Sequence, residues 1–545
     1  VETAQIQTQI KNPVIAKPGF FNKFLNRQHL ILIIVLTALL AIRLYYFLIT
    51  KNQPLWFDEA EYMNLARYWA FGQPFFGLNA ARPLIFPILL AVLVKLGATE
   101  SVVRLVPLFA AVFSSLMLYK VGKDMFDFKV GIFSAVMLGV FWSFLFYSFR
   151  ILVDTLIALL FLFSVYLFWA GWEQNKRKLL WLLGPVLVVT VLTKFSAILL
   201  VFVIVAYILI TNWKSLFQNK DAWIGAGLGL VVLIPFLLFE YFRFGSPLAF
   251  YLKAIPQRGG LELSLWQNFS AYMQGITLVN LVFLALFILG LLMLYKLFIG
   301  FDLLLRGEKS LRPDLFIFLW LVIGIIVFTW FGVSPQLGLE ERWFFIIYPV
   351  IFLFSAKGLG AIFDFVKKYN RYVAVIAVIA LVAFGGYQNL AQADALIKNR
   401  LTSYVEIQQA GAWIAANSGK NDIVFSLTTQ PELQYASNRE VYGLTSALQD
   451  FLSDVQNKSP KYVIVNPYFQ LNNEQITTLD YIFSHPDEFM PAAGFGPFVD
   501  KDGKIPLITI FEVLNDSSGR QQILLQNNYQ NSSLEAVQNS TNLSA

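Results

Sequence analysis

Leu55-Trp56-Phe57-Asp58-Glu59-Ala60-Glu61-Tyr62 follows directly on the first long apolar run of the chain, about residues 29–50. The carboxylates Asp58, Glu59 and Glu61 therefore fall where a membrane helix would emerge into water. Acids at that depth are costly unless they are solvated, paired or functional. Aromatic and apolar residues follow, so the acids sit at the edge of an interfacial helix. In that helix Tyr62, Leu65, Ala66 and Trp69 share a face at helical spacing. A structural reading is concrete, since Asp58-x-x-Glu61 has the form of a capping box. The neighbouring acids and the cations elsewhere in the chain favour a functional one, with Asp58 as a general base.

Working outward, composition fixes the class. Of 545 residues, 57% are hydrophobic and 14% charged, with a mean hydropathy of +0.62, as in multi-span membrane proteins. Cysteine is absent, which excludes disulfides, thiolate nucleophiles and Cys-ligated metals. The two histidines, His29 and His485, lie in different contexts and argue against a His-rich metal site or a Ser-His-Asp triad. The net charge of +7 is spread over loops and reads as topology, not nucleic-acid binding.

Spans are expected at roughly 29–50, 102–121, 130–148, 153–171, 179–193, 195–211, 222–240, 276–299, 315–333, 342–356 and 372–390, about eleven in all. Lys17, Lys23 and Arg27 precede the first span, in a segment (1–28) that reads as cytoplasmic. Lys120, Lys123, Lys129, Lys176, Arg177, Lys178, Lys214, Lys220, Arg306, Lys309, Arg312, Lys357, Lys367, Lys368 and Arg371 then mark the inner side. Asp58, Arg82, Arg150, Lys194 and the 241–275 loop fall together on the outer face. Residues 391–514 read as a small extracytoplasmic α/β domain, with strands at 422–426, 461–465 and 507–513 and helices at 404–416 and 447–455. The 515–545 tail is rich in Asn, Gln and Ser and reads as disordered, with Asn-x-Ser/Thr triplets as possible glycan acceptors on an external surface.

The motifs also carry a family resemblance. Trp56-Phe57-Asp58-Glu59-Ala60-Glu61-Tyr62 resembles the first-loop acidic motif of the GT-C fold. The nearest group is the polyprenyl-phosphate-sugar transferases, namely protein O-mannosyltransferases and lipid A aminoarabinose transferases. Ala81-Arg82-Pro83-Leu84, Val103-Arg104-Leu105-Val106-Pro107, Tyr147 to Asp154, Leu192-Thr193-Lys194-Phe195 and Glu341-Arg342-Trp343-Phe344 follow in the family's order, over about residues 30–360. Leu84 stands where a second Pro is common, and Trp343 where Tyr is common.

The resemblance implies an inverting transferase. Its donor is a sugar on dolichyl or undecaprenyl phosphate, and its acceptor is a hydroxyl of a protein, lipid or glycan at the outer face. Asp58 would be the base and Asp154 a second catalytic acid or base-orienting residue. Arg82, Lys194 and an arginine of the 241–275 loop, Arg258 or Arg243, would hold the phosphate. Glu59, Arg342 and Trp343 would lie near substrate. No obligatory metal is expected, although two acids on one face are compatible with a divalent ion. Two bland readings stand beside these roles. Cations at span ends often snorkel to the interface, and Arg150 and Asp154 have the spacing of a helical ion pair. The rival classes are a secondary transporter, which would need charges in mid-span and broken helices, and a surface-binding protein working through 391–514.

Overall fold

The computed structural model describes residues 27–73, 82–254, 264–331, 340–444, 447–466, 471–498 and 506–514. Among them, nine helices are long and apolar enough to cross a membrane: Arg27–Thr50, Glu100–Met125, Asp154–Trp172, Phe195–Gln218, Lys220–Phe244, Leu281–Ile299, Arg312–Trp330, Tyr348–Lys367 and Arg371–Asn399. A tenth is broken, with Phe128–Val140 and Trp142–Phe149 meeting at 60°. The break leaves the Trp142 amide outside the helical ladder, and it donates to Asn389 Oδ1 at 3.1 Å. An unpaired amide at that depth would be expensive. The expected eleven spans thus resolve into these ten and the helix Leu179–Thr193, whose 15 residues are fewer than a bilayer crossing needs.

Two expected boundaries move for physical reasons. The span placed at 342–356 begins at Tyr348, with Pro349 in its first turn, and Glu341–Ile346 form a 3-10 segment instead. Proline fits a first turn because the N–H it lacks has no helical partner there. The stretch 276–280 closes the amphipathic helix Leu265–Thr277 and its turn, so that span starts at Leu281.

Small residues let these helices touch. A Cβ on Gly184 would lie 1.8 Å from the Gly225 carbonyl oxygen, and one on Gly290 would lie 1.9 Å from that of Phe354. Lipid-embedded helices gain little from hydrophobicity between themselves, so such close backbone approach supplies much of their attraction. Between them, aromatic side chains fill the core. Phe141, Phe144, Phe345, Tyr348 and Phe352 are fully buried, and the Trp320 indole donates to the Ile346 carbonyl at 2.9 Å.

After Arg371–Asn399 the chain builds a five-stranded sheet of order β2-β1-β3-β5-β4. The strands are β1 (Ile423–Ser426), β2 (Glu440–Gly443), β3 (Tyr462–Val465), β4 (Phe489–Phe498) and β5 (Pro506–Val513). β2, β1 and β3 run parallel, and β5 and β4 run antiparallel. The helix Gln430–Ser437 between β1 and β2 rests on the interfacial helix Phe57–Phe71. Asn64 Nδ2 donates to the Pro431 carbonyl at 2.8 Å and Arg67 to that of Tyr435 at 3.0 Å. The Arg67 guanidinium also lies 3.8 Å from the centre of the Tyr435 ring. The residues expected in a disordered tail, 515–545, lie outside the described residues.

Candidate functional site

The interfacial helix begins at Phe57, one residue before the acids. That start decides their fates. Asp58, Glu61 and Tyr62 lie three and four residues apart and share a face, which lines a cavity of about 720 Å³. Glu59 is a third of a turn away and points into protein. It closes the helix end by accepting from the Trp56 amide at 3.0 Å. The same carboxylate accepts from the Ile151 amide at 2.7 Å, Arg104 at 3.4 Å and Arg150 at 3.3 Å.

This corrects three expectations. Glu59 is a structural ion, fully buried and away from the cavity, so it is not placed to bind substrate. The expected capping by Asp58-x-x-Glu61 is made by Glu59 instead, because the helix starts one residue before Asp58. The Arg150–Asp154 ion pair does not form either, since Arg150 is drawn to Glu59.

Around the cavity, charges alternate in a continuous chain. Glu61 takes Arg82 Nε at 3.0 Å and also pairs with its Nη2, which reaches Asp58 Oδ1 at 2.9 Å. The other Asp58 oxygen takes Arg342 Nη2 at 2.5 Å. Arg342 Nη1 lies 3.7 Å from Asp154 Oδ2, and Lys194 Nζ is 2.6 Å from Asp154 Oδ1. Arg342 also pairs with Glu340.

Local backbone explains why distant residues meet here. Lys194 stands at the break where the helix Leu179–Thr193 ends in an extended residue. Arg342 and Trp343 ride on the 3-10 segment that precedes its span. Half-buried Ser196 also lines the cavity, and its buried hydroxyl has no hydrogen-bond partner among the described residues.

Burial alone would raise the Asp58 pKa, but the adjacent Arg342 and Arg82 outweigh it and hold the carboxyl below its usual range. Glu61 goes the other way. Burial, joined by repulsion from Asp58, outweighs Arg82 and raises it. Asp58 is therefore the acid that stays ionised, ready to accept a proton, although these partners make it a weak base.

Of the residues singled out from sequence, Asp58, Arg82, Asp154, Lys194, Arg342 and Trp343 line one cavity. Arg243 does not. It is exposed in the last turn of Lys220–Phe244, because that helix continues to Phe244 and carries it outward. Arg258 lies outside the described residues. Sequence reasoning missed Ser196, whose only signal is its place two residues after Lys194, and it gave Glu61 no role beyond the capping alternative. It also missed Asn64, Gln430, Gln434 and Tyr442, which line the cavity without any local motif. Among the described residues, no group of three Asp, Glu or His side chains is arranged to hold a metal ion.

A family model described as dolichyl-phosphate-mannose-protein mannosyltransferase matches residues 81–239. No curated protein matches the chain by sequence. Among solved structures, apo ArnT from Cupriavidus metallidurans is 13% identical over 89% of this chain and 98% of its own, with a TM-score of 0.63. ArnT bound to undecaprenyl phosphate gives 14% identity, the same coverage and a TM-score of 0.60. The oligosaccharyltransferase AglB from Archaeoglobus fulgidus, in complex with an inhibitory peptide and a dolichol-phosphate, is 13% identical over 92% of this chain and 75% of its own, with a TM-score of 0.54.

Proposed function

This chain has the GT-C glycosyltransferase fold, and on that premise we propose that it moves a sugar from a polyprenyl phosphate to an acceptor hydroxyl at the outer face of the membrane, with inversion. The observation that carries the reading is Asp58 bridged by Arg82 and Arg342 on a cavity that Lys194 and Asp154 also line. The solved relatives bound to undecaprenyl phosphate and dolichol-phosphate support the donor class.

In this reading the acceptor oxygen forms a bond to the anomeric carbon while its proton passes to Asp58. The bond from that carbon to the phosphate oxygen breaks, and the electron pair stays on the phosphate. The donor carries one negative charge as a phosphodiester, and the leaving polyprenyl phosphate carries two. Asp58 becomes neutral in the same step. Arg342 and Arg82 thus lose a counter-charge as the phosphate gains one. Their field, with that of Lys194, then acts on charge that develops in the transition state, where stabilisation accelerates the reaction. The Ser196 hydroxyl is a further donor for the phosphate, and Asp154 holds Lys194 and Arg342 in place. Charge-assisted contacts of this kind contribute about 1.5–3 kcal/mol each. The scheme routes no step through a metal. The proposed topology puts the N-terminus in the cytoplasm and the C-terminal domain outside.

The test is Asp58→Asn in purified, membrane-inserted protein, assayed with a panel of polyprenyl-phosphate sugars. Transfer is expected to fall about 10²–10⁴-fold, the range for general base catalysis, with undecaprenyl phosphate binding retained. Transfer at the original rate would refute Asp58 as the base.

A further inference from the structure

The cavity has two walls of different chemistry. The membrane wall carries all its charge, as Asp58, Glu61 and Asp154 interleaved with Arg82, Lys194 and Arg342. The opposite wall comes from the α/β domain and consists of Gln430, Pro431, Gln434, Val441, Tyr442 and Gly443, with Asn64 beside it. None of the described residues that line it is a cation, and Lys458, which lies 4.6 Å from the centre of the Tyr442 ring, is paired with Asp454 at 2.7 Å. Two acids adjoin the wall: Glu440 accepts from the Tyr442 hydroxyl, and Glu432 is buried in the same helix as the two glutamines.

We infer that this amide-and-phenol wall is the acceptor subsite, and that it takes an uncharged, polyhydroxylated saccharide. The inference rests on the glycosyl-transfer reading and names the substrate class that reading leaves open. Carboxamides offer donors and an acceptor in one plane, and vicinal sugar hydroxyls need both. Tyr442 adds an aromatic surface, and its hydroxyl is oriented by donating to Glu440 at 2.9 Å. A phosphorylated lipid headgroup would find no cation among the described residues that line this wall, and it would face the carboxylate of Asp58. The cations of the other wall are engaged by the donor phosphate.

An acceptor peptide has one alternative handhold, the edge of β2, which is four residues long. So short an edge gives few main-chain pairs, and binding there is indifferent to the side chains of Gln430 and Gln434. The wall is also fixed rather than loose. Asn64 to Pro431 and Arg67 to Tyr435 tie its helix to the interfacial helix that bears Asp58, and Tyr435 Oη to Glu100 at 3.3 Å ties it to the start of Glu100–Met125. Acceptor and base are thereby held on one rigid unit, as efficient attack requires.

The test compares cells lacking the gene after complementation with wild type, Asp58→Asn, the pair Gln430→Ala and Gln434→Ala, or Tyr442→Phe. Mass spectrometry follows the neutral glycan, protein and charged-lipid fractions. The expected result is a sugar present on neutral glycans with wild type and absent with Asp58→Asn. The subsite variants should raise the KM for that glycan about threefold to tenfold per lost hydrogen bond. Their Kd for undecaprenyl phosphate, read by tryptophan quenching, should stay unchanged, which shows that they fold. A difference confined to the protein or charged-lipid fraction overturns the saccharide assignment and leaves glycosyl transfer standing. So does an unchanged KM in the subsite variants. If no fraction differs between wild type and Asp58→Asn, the transferase reading itself falls.

Discussion

At the scale of single residues, Asp58 and Glu59 are neighbours in sequence with opposite surroundings. Glu59 is fully buried between Arg104 and Arg150, themselves fully buried. Removing one partner of a buried ion cluster leaves the others uncompensated and costs about 3–5 kcal/mol. Glu59→Ala is therefore expected to lower the Tm sharply in a scan at fixed heating rate. Asp58→Asn, on the partly hydrated face, should barely move it. Equal Tm values for the two variants would mean that the buried cluster does not hold the fold. The sequence showed that these acids matter at the membrane edge, yet it assigned Glu59 to substrate. The capping reading starts the helix at Glu59, two residues late, and the 100° between neighbouring helical side chains is what separates the cavity wall at Asp58 from the buried ion cluster at Glu59.

At the scale of elements, the apolar runs were legible because a bilayer demands length and hydropathy together. Breaks inside them were not. The bend at Phe141 and the 3-10 turn Glu341–Ile346 lie within or beside apolar runs, and their irregular backbone is satisfied by distant partners such as Asn389 and Trp320. In the α/β domain, β1, β3 and β5 were legible as β-branched runs. β2 and β4 were not, since β4 carries Pro and Gly and its pairing with β5 shifts register. Close helix contacts are also invisible to hydropathy, and they make a prediction. At Gly290 a Cβ meets the Phe354 carbonyl at 1.9 Å, and at Gly358 one meets the Leu286 carbonyl at 2.1 Å. Backbone cannot yield as a flexible side chain can. Gly290→Ala or Gly358→Ala should thus cost roughly 1–3 kcal/mol by overpacking. Gly227, with open space around it, should accept Ala without loss. Detergent stability of the three variants, by fluorescence-detected size exclusion, separates these outcomes, and equal losses at Gly227 and Gly290 would refute the close-approach account.

For the whole molecule, what matters is how the α/β domain stays seated over the membrane cavity, and Glu432 makes that seating depend on pH. Its side chain is buried where the domain meets the interfacial helix, and its Oε2 has no hydrogen-bond partner among the described residues. Burial pushes its pKa up to about 8, with a further push from Asp58, Glu61 and Glu59. In the unfolded chain the same carboxyl titrates near 4.5. Below that value both states are protonated, and the stability that goes with the neutral form is fully present. As pH rises the undocked state loses its proton first, so stability drains away by about 1.4 kcal/mol per unit until the folded pKa is passed. The total is roughly 2–5 kcal/mol, because water reaching a loosened interface trims the full shift. Glu432→Gln keeps the shape of the neutral acid and removes its titration. The Tm of the wild type should therefore fall away from that of the variant between about pH 5 and pH 8, and the two should converge below pH 4.5. Curves that stay parallel across that window would show that Glu432 is hydrated and uncoupled from docking. If they diverge, acceptor transfer should weaken on the alkaline side in step with them. The wall formed by Gln430, Gln434 and Tyr442 moves with the helix that carries Glu432 and with the sheet behind it, and the base Asp58 sits on the element that this helix grips.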